Sequence, residues 1–591
     1  MSETVSCEGI PFPSFATGSV SLIKYVEGAF PEKSVVHLAV TAEGKAPKAG
    51  QFYLIKAKKS GVLLARPISV YSSAENTDGT VRVEFLILVK GQGTAELSDV
   101  SCGDEIEILG PLGNTFPNPD GKKKIAIVGG GIGVAPVAGF AQNLPEKSYD
   151  FFAAFKSGSY GLENVKADKL VITTDDGSVG IRGMITEALD AQKISAYSEV
   201  YACGPMPMLA YIQKICAEAG VKSWLSMENR MACGVGACLG CTIRTTEGNK
   251  RCCKDGPVFD GAILDFTPPK IKPIRDYRLP ESEKPDLSVE IKGVRFKNPV
   301  IAASGTFGYG SEYSSVFDVN LLGGICSKGL TLEPKAGNTG VRLVETPSGL
   351  INSIGLENPG IAHFIEHELP VMKKFKTTPI ANLSGSSING YVEGARLLDK
   401  TDIPMIELNI SCPNVKAGGM AFGMDCVAAS TVTKAVREAT KKPLMVKLSP
   451  NAPDLVGIAL AVREAGADAI SLVNTFQAMS IDVETGRPVF DNVKAGLCGP
   501  AIRPLALRMV FDVVAAMNKL PEAERIPVVG IGGIATWRDA VEFIMAGASA
   551  VQVGTATFAN PRAMIEIISG IESYMKRKGF RKLDDFRGIA Q

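Results

Sequence analysis

The stretch from Met231 to Pro257, MACGVGACLGCTIRTTEGNKRCCKDGP, constrains this chain more than any other. Cys233, Cys238 and Cys241 follow C-x4-C-x2-C spacing, and a fourth cysteine follows at Cys252 or Cys253. That is the ligand spacing of a plant-type [2Fe-2S] loop. Gly234, Gly236, Ala237 and Gly240 are small, so the backbone can wrap closely and turn its N–H groups toward sulfur. The rival reading is structural zinc, but zinc modules pair their cysteines on two separate knuckles, and here three ligands share one loop. Disulfides do not suit a chain with no secretory features. A cluster of this kind passes single electrons, so the flanking sequence has to supply both a source and a sink.

With 591 residues the chain has room for about four domains. Its 63 basic and 62 acidic residues leave a net charge of +1, which gives no footing for nucleic acid or an anionic membrane surface. The opening MSETVSCEGIPFPSF lacks a basic region followed by an apolar core, so no signal peptide is expected there. No apolar run approaches membrane-spanning length. The thirteen cysteines without a secretion signal point to a reducing, cytoplasmic setting.

Residues 17–118 read as an all-β module, with short alternating strands separated by Gly, Pro and Asn turns. Arg66-Pro67-Ile68-Ser69 sits at a strand end, and Lys90-Gly91-Gln92-Gly93-Thr94 opens a short helix. Each alone is an ordinary strand end or turn; together they suit a pyrophosphate. The next unit is α/β. Its buried run Lys124–Val128 ends in Gly129-Gly130-Gly131-Ile132-Gly133, and VYACGPMPM supplies a second strand ending in Cys203-Gly204-Pro205. The glycine turn departs from G-x-G-x-x-G, and no clear ribose-binding acid follows it.

The paired β and α/β modules resemble the ferredoxin-reductase family. The phrases RPISVYS, GPLGNTF, GGGIGVAP, TDDGS, CGPMPM and the cysteine loop resemble the electron-transfer subunit of class 1B dihydroorotate dehydrogenases over residues 10–265. That resemblance implies an FAD-binding β-barrel at 1–118 using Arg66, Pro67, Ser69, Lys90, Gly93 and Thr94. It implies a nicotinamide domain at 119–224 using Gly130, Gly131, Gly133, Cys203, Gly204 and Pro205. A [2Fe-2S] module follows at 225–265. In the family the fourth ligand precedes Lys-Asp-Gly-Pro, which selects Cys253 and leaves Cys252 as an extra thiol.

Residues 266–286, with five prolines and little apolar material, read as a linker. Fully polyproline-like it would reach on the order of 60 Å at ~3.1 Å per residue. Beyond it come eight apolar runs: NPVIAAS, LLGGICS, TPIANLS, PMIELNIS, PLMVKLS, ADAISLVN, IPVVGIG and ASAVQVG. Helical segments such as CVAASTVTKAVREAT alternate with them, which predicts a (β/α)8 TIM barrel over 287–591 with its chemistry at the C-terminal strand ends. Polar residues stand there: Ser304, Thr306, Ser327, Lys328, Asn382, Asn409, Lys447, Asn474 and Thr475. The last two runs end in Gly532-Gly533 and Gly554-Thr555, where such barrels bind phosphate.

Residues 287–591 resemble the catalytic subunit of class 1B dihydroorotate dehydrogenases through ASGTFGYG, SKGLTLEPKAGN, NSIGLENPG, ELNISCPNVKAGG, MVKLSPN, LVNTFQA, GPAIRPLALR, VVGIGGI and VQVGTA. The resemblance implies FMN held by Ser304, Lys328, Asn382, Asn409, Lys447, Gly499, Gly532, Gly533, Gly554 and Thr555. Lys447 would face the flavin N1/O2 edge. It implies a substrate site built from Lys328, Asn352, Ile354, Gly355, Leu356, Asn409, Asn414, Asn474 and Thr475. Cys412, alone a small buried hydrophobe by composition, becomes the general base that takes the C5 proton of dihydroorotate. Cys498 departs from the family serine at a minor flavin-side contact, and the two subunits, separate chains elsewhere in the family, are fused. His363 and His367 match H-x-x-E-H, and we read that as a coincidence on a surface helix.

The implied circuit runs from dihydroorotate to FMN, through the cluster to FAD, and on to NAD+, in pyrimidine synthesis, with a homodimer expected through the barrel. One alternative is a dihydropyrimidine dehydrogenase acting on dihydrouracil; the cysteine-rich [4Fe-4S] modules of those enzymes have no counterpart here. The other is a nicotinamide-driven flavin and iron–sulfur carrier with a non-catalytic barrel.

Overall fold

The structure is a computed structural model and describes residues 14–121, 123–267, 278–411 and 422–591. Cys412, Asn414 and the linker residues 268–277 therefore lie outside the described residues. The chain forms two compact units, Met1–Ile271 and Lys272–Gln591.

The first unit begins with a seven-stranded antiparallel sheet. Its order runs Arg66–Ser69, Phe52–Ala57, Glu105–Leu112, Ser14–Tyr25, Val35–Glu43, Thr80–Leu88 and Ser72–Glu75. The two end strands are consecutive in the chain, separated only by Val70 and Tyr71. Six spacings of ~4.8 Å would put flat edges about 29 Å apart, far beyond what three Cα steps can reach. The sheet must therefore roll until its edges approach, and Leu38, Val40, Ile55, Phe85 and Ile106 fill the inside. Alternating sequence becomes a closed core because every second side chain faces inward.

The second sheet runs Ile181–Arg182, Lys169–Thr174, Tyr149–Phe155, Ile125–Gly130, Glu199–Cys203, Lys222–Ser226 and Val258–Asp260, parallel except for the last strand. From Ile125–Gly130 the chain builds outward on one side and then returns to place Glu199–Cys203 on the other. The strand order thus reverses between these two neighbours, and open α/β sheets bind ligands in that crevice. A small hairpin, Thr242–Thr245 with Gly248–Arg251, separates the first three cysteines of the loop from Cys252 and Cys253.

The second unit is a closed barrel of eight parallel strands: Val300–Ala302, Gly324–Cys326, Thr378–Leu383, Met405–Asn409, Leu444–Lys447, Ala469–Leu472, Val528–Ile531 and Ala550–Val553. Each falls within one of the eight apolar runs, so that expectation holds. The runs are apolar throughout because the strands pack inward on the barrel core and outward on helices. Capping side chains start several of the barrel's helices. Ser387 accepts from the Gly390 N–H, Asp425 from Val427 and Ala428, and Thr536 with Asp539 forms a reciprocal box. A four-stranded sheet ordered Leu343–Thr346, Gly349–Asn352, Ala495–Cys498 and Phe476–Ala478 carries Asn352 and Cys498.

Candidate active site

At the C-terminal ends of the barrel strands one cavity is lined by Ser304, Lys447, Asn474, Thr475, Gly499, Gly532, Gly533, Gly554 and Thr555, with Gln552 and Cys498. Glycine is required at several of these points. Gly532, Gly533 and Gly499 have φ of 126°, 70° and 93°, which L side chains rarely adopt. A Cβ on Gly533 would lie 2.6 Å from the Arg503 backbone nitrogen. The turns at Gly532-Gly533 and Gly554-Thr555 follow the seventh and eighth strands, beside the short helix Ala556–Ala559, the position where barrels of this kind commonly bind phosphate.

Behind the cavity lies a buried charge. Lys447 is 5% exposed and Glu407 0%, and the Lys447 ammonium stands 3.8 Å from Glu407 Oε2. Burial would raise the Glu407 carboxyl, but Lys447 and the hydrogen bonds from Ser471, Gln552 and Cys326 outweigh it and hold the group below the ordinary carboxylate range. Asn382 donates to Glu407 at 2.5 Å, and its own oxygen accepts from Asn409 at 3.3 Å. Asn409 accepts from the Ser411 hydroxyl at 2.9 Å, and Ser411 accepts from the Asn474 amide at 2.9 Å. A continuous line of amides therefore crosses the barrel mouth from the buried carboxylate to the cavity wall.

Asn382 and Asn409 sit inside this line rather than on the cavity lining. Asn352 donates to the Gly496 carbonyl at 3.0 Å, next to Cys498. In the loop with Ile354 and Gly355, Leu356 packs on Gly329, where an added Cβ would lie 2.8 Å from it. That loop thus meets the end of the second strand beside Lys328. His363 and His367 are both exposed, with ring centroids 4.4 Å apart. Sequence reasoning missed Glu407 and Gln552. The available clue was a charged or amide residue in the middle of an apolar barrel strand, with Glu407 two residues before Asn409 and so on the same face.

In the first unit, the Arg66 guanidinium lies where a Cβ on Gly93 would be, 2.5 Å away, which brings the two expected FAD motifs together. Thr94 accepts from the N–H groups of Lys90 and Gly91. The two nicotinamide motifs also meet, at the strand reversal. A Cβ on Gly133 would lie 2.6 Å from the Cys203 carbonyl oxygen, and one on Gly130 2.8 Å from Pro205.

The cysteine loop arranges its thiols as two neighbouring pairs. The Cys238 N–H reaches Cys233 Sγ at 3.4 Å, and the Cys253 N–H reaches Cys241 Sγ at 3.4 Å. Although burial would raise Cys233, N–H groups of Cys238, Val235 and Ala237 hold its thiol down to about 6. Burial pushes both Cys252 and Cys253 up to about 12, so acidity does not separate them. Direction does: the Cys252 thiol turns away and donates to the Met227 carbonyl at 3.2 Å. Among the described residues no three His, Cys, Asp or Glu side chains converge to chelate a metal. Four thiols in two pairs, with N–H groups aimed at sulfur, still match the donor chemistry of a two-iron cluster, which takes two thiolates per iron.

A closed barrel with a glycine-lined cavity, a buried cation and a line of amides at its mouth defines a class: a (β/α)8 barrel with a polar cavity at the C-terminal strand ends, the place where such barrels carry their chemistry. Residues 286–575 match the family described as "Dihydroorotate dehydrogenase", and residues 228–265 match "Iron-sulfur cluster binding domain of dihydroorotate dehydrogenase B". Three relatives carry the name "Dihydroorotate dehydrogenase B (NAD(+)), catalytic subunit". The one from Petrotoga mobilis is 55% identical over 304 residues, 51% of this chain and 99% of its own length. Those from Caldicellulosiruptor bescii and Bacteroides thetaiotaomicron are each 50% identical, over 303 and 307 residues, spanning 98% and 99% of their lengths. The chain belongs to the dihydroorotate dehydrogenase family, matching B-type catalytic subunits across its C-terminal half. It is an oxidoreductase with an iron–sulfur-binding domain of the same type ahead of the barrel.

Proposed function

We propose that the chain oxidises dihydroorotate to orotate on FMN and passes the electrons through a [2Fe-2S] cluster and FAD to NAD+, within one polypeptide. The observation that carries this reading is the single cavity uniting Ser304, Lys447, Gly499, Gly532, Gly533, Gly554 and Thr555 with Asn474 and Thr475. When bound, FMN would accept the substrate hydride, each flavin would convert between two-electron and one-electron transfer, and the cluster would carry single electrons between them.

The chain's own residues then have distinct tasks. The glycine turns offer N–H groups to the phosphate, and Lys447 offers a positive charge where the ring becomes anionic on reduction. The substrate ring alternates C=O and N–H, and an amide supplies both an acceptor and a donor; Asn352, Asn409, Asn414 and Asn474 suit that recognition. Cys412, next to Ser411 in the chain, would take the C5 proton as thiolate. In the first unit, the adjacent Gly130–Gly133 and Cys203–Pro205 turns suit NAD+, and the Arg66–Gly93 pair suits the pyrophosphate of FAD. Cys233, Cys238, Cys241 and Cys253 would hold the cluster.

No helix among the described residues is long and apolar enough to cross a membrane. The deciding experiment is cofactor analysis of the purified chain combined with a dihydroorotate-dependent NAD+ reduction assay. We expect FMN, FAD, two iron and two sulfide per chain, with NADH formed. Absence of FMN, or dihydrouracil as the preferred substrate, would overturn the reading. Sedimentation tests the expected homodimer.

A further inference from the structure

The barrel interior holds a polar hub centred on Glu407, a residue outside the expected site set. Glu407, on the fourth strand and fully buried, receives hydrogen bonds from four other strands. Asn382 Nδ2 donates at 2.5 Å and Cys326 Sγ at 3.3 Å to Oε2; Ser471 Oγ at 2.8 Å and Gln552 Nε2 at 2.6 Å donate to Oε1. Lys447 Nζ, on a fifth strand, stands 3.8 Å from Oε2. Every neighbour is a donor, so the group is suited only to an ionised carboxylate, which accepts at both oxygens.

The consequence falls on Gln552. This residue is 1% exposed and lines the cavity. Its Nε2 is committed to Glu407, and its Oε1 is buried with no hydrogen-bond partner. An unpartnered buried amide oxygen is costly, and native structures rarely leave one without a purpose. The amide cannot flip to relieve it, because the flip would turn the carbonyl against the Glu407 carboxylate. Asn382, whose nitrogen faces the same carboxylate, shows the same constraint, but its oxygen is satisfied by Asn409 and Ser384.

We propose that Gln552 is a further cofactor-contacting residue, its Oε1 accepting the ring N–H of a bound flavin, and that Glu407 is the positioning residue that fixes this orientation. The inference rests on the reading of the cavity as an FMN site. Oxidised flavin carries one ring N–H, at N3, so the acceptor has a single chemical match on the isoalloxazine. A phosphate or an anion would be repelled from the same oxygen. Replacing Glu407 by glutamine puts a donor where only acceptors fit. The least disruptive repair is a flip of Gln552, which presents NH2 to the cavity and turns an acceptor into a donor.

The test uses the full chain with its FMN removed and restored. Gln552→Leu should weaken FMN rebinding roughly 10-fold, the loss of one buried hydrogen bond. Glu407→Gln should weaken it at least as much, and the double variant no more than the weaker-binding single one, since both changes remove the same contact. With 15N-labelled FMN, the N3 resonance should shift in both single variants while the phosphate 31P resonance stays in place. If FMN affinity and the N3 resonance of Gln552→Leu match wild type, the assignment is overturned. If the two losses multiply in the double variant, Glu407 does not act through Gln552 and that half is overturned. Should Glu407→Gln fail to fold, Glu407→Asp, which keeps the charge but draws it back from the Gln552 amide, takes its place in the same comparison with Gln552→Leu. A wild-type chain that binds no FMN would overturn the cofactor reading itself, an outcome distinct from FMN bound equally by all variants.

Discussion

The barrel mouth and the cysteine loop would both hold redox groups, yet they are built in opposite ways. In the barrel, the polar groups are buried and, the Gln552 carbonyl oxygen apart, satisfy one another. Glu407 meets Lys447, Asn382, Ser471 and Gln552, and the strands that carry them are fixed by a closed ladder. In the loop, Cys238 is exposed, Cys233 is half-buried, and the thiols stand as separate pairs. The barrel site is organised by its own core, whereas the loop would be completed by metal–sulfur bonds. Sites on rigid strands hold geometry through packing, and sites on loops depend on what they bind.

The strongest way to break this contrast is at the loop. Cys253→Ser should lose the cluster absorption and EPR signal and with them dihydroorotate-to-NAD+ activity, while FMN reduction in the barrel stays near wild type. Cys252→Ser should keep the cluster, because its thiol faces the Met227 carbonyl. A bleached Cys252→Ser beside an intact Cys253→Ser would reverse the ligand choice.

The next largest effect is at the barrel rim. Cys412→Ala should slow FMN reduction by dihydroorotate about 100- to 10,000-fold, the usual cost of losing a general base. NADH-to-dye activity should be untouched, because it uses only the first unit. Near-normal stopped-flow reduction would place the base elsewhere.

A third change probes how self-supporting the barrel is. Lys447→Met leaves Glu407 buried beside no cation, and breaking a buried pair by removing one partner costs about 3–5 kcal/mol. The barrel's thermal transition should fall accordingly, and adding Glu407→Gln should restore part of the loss. An unchanged transition in Lys447→Met would show that the four hydrogen bonds suffice for Glu407 without the cation.

The smallest effect lies in the rolled sheet of the first unit. There a hydrogen bond from His37, with help from Arg82, outweighs burial and holds the Glu84 carboxyl below its ordinary value. A depressed folded value means stability that is present above the unfolded carboxylate's value and lost as pH falls through the folded one. Glu84→Gln should therefore lower the melting temperature slightly at neutral pH, by no more than about 1 kcal/mol of stability, and the difference should shrink below about pH 4. A difference that persists undiminished at pH 3 would assign the effect to packing.

Much of this was legible in the chain itself. Eight apolar runs became eight barrel strands, because burial on both faces needs only a local composition of Val, Ile and Leu. The glycine pairs at 532–533 and the turn at 130–133 were readable for the same reason: a positive φ or a close backbone approach excludes other residues at that point in the chain. The C-x4-C-x2-C spacing likewise lies within one loop. The tertiary structure decided what depends on distant partners. Cys252 and Cys253 are neighbours in the chain, and only the path of the loop turns the Cys252 thiol toward the Met227 carbonyl and sets the Cys253 backbone N–H on the Cys241 sulfur. The closing of the first sheet followed from which strands became edges. Glu407 reads in sequence as one acid in an apolar run, and its partners stand 25 to 145 residues away in the chain. Hydrogen bonds are short and directional, so which groups share them is settled by the packed barrel rather than by any local pattern.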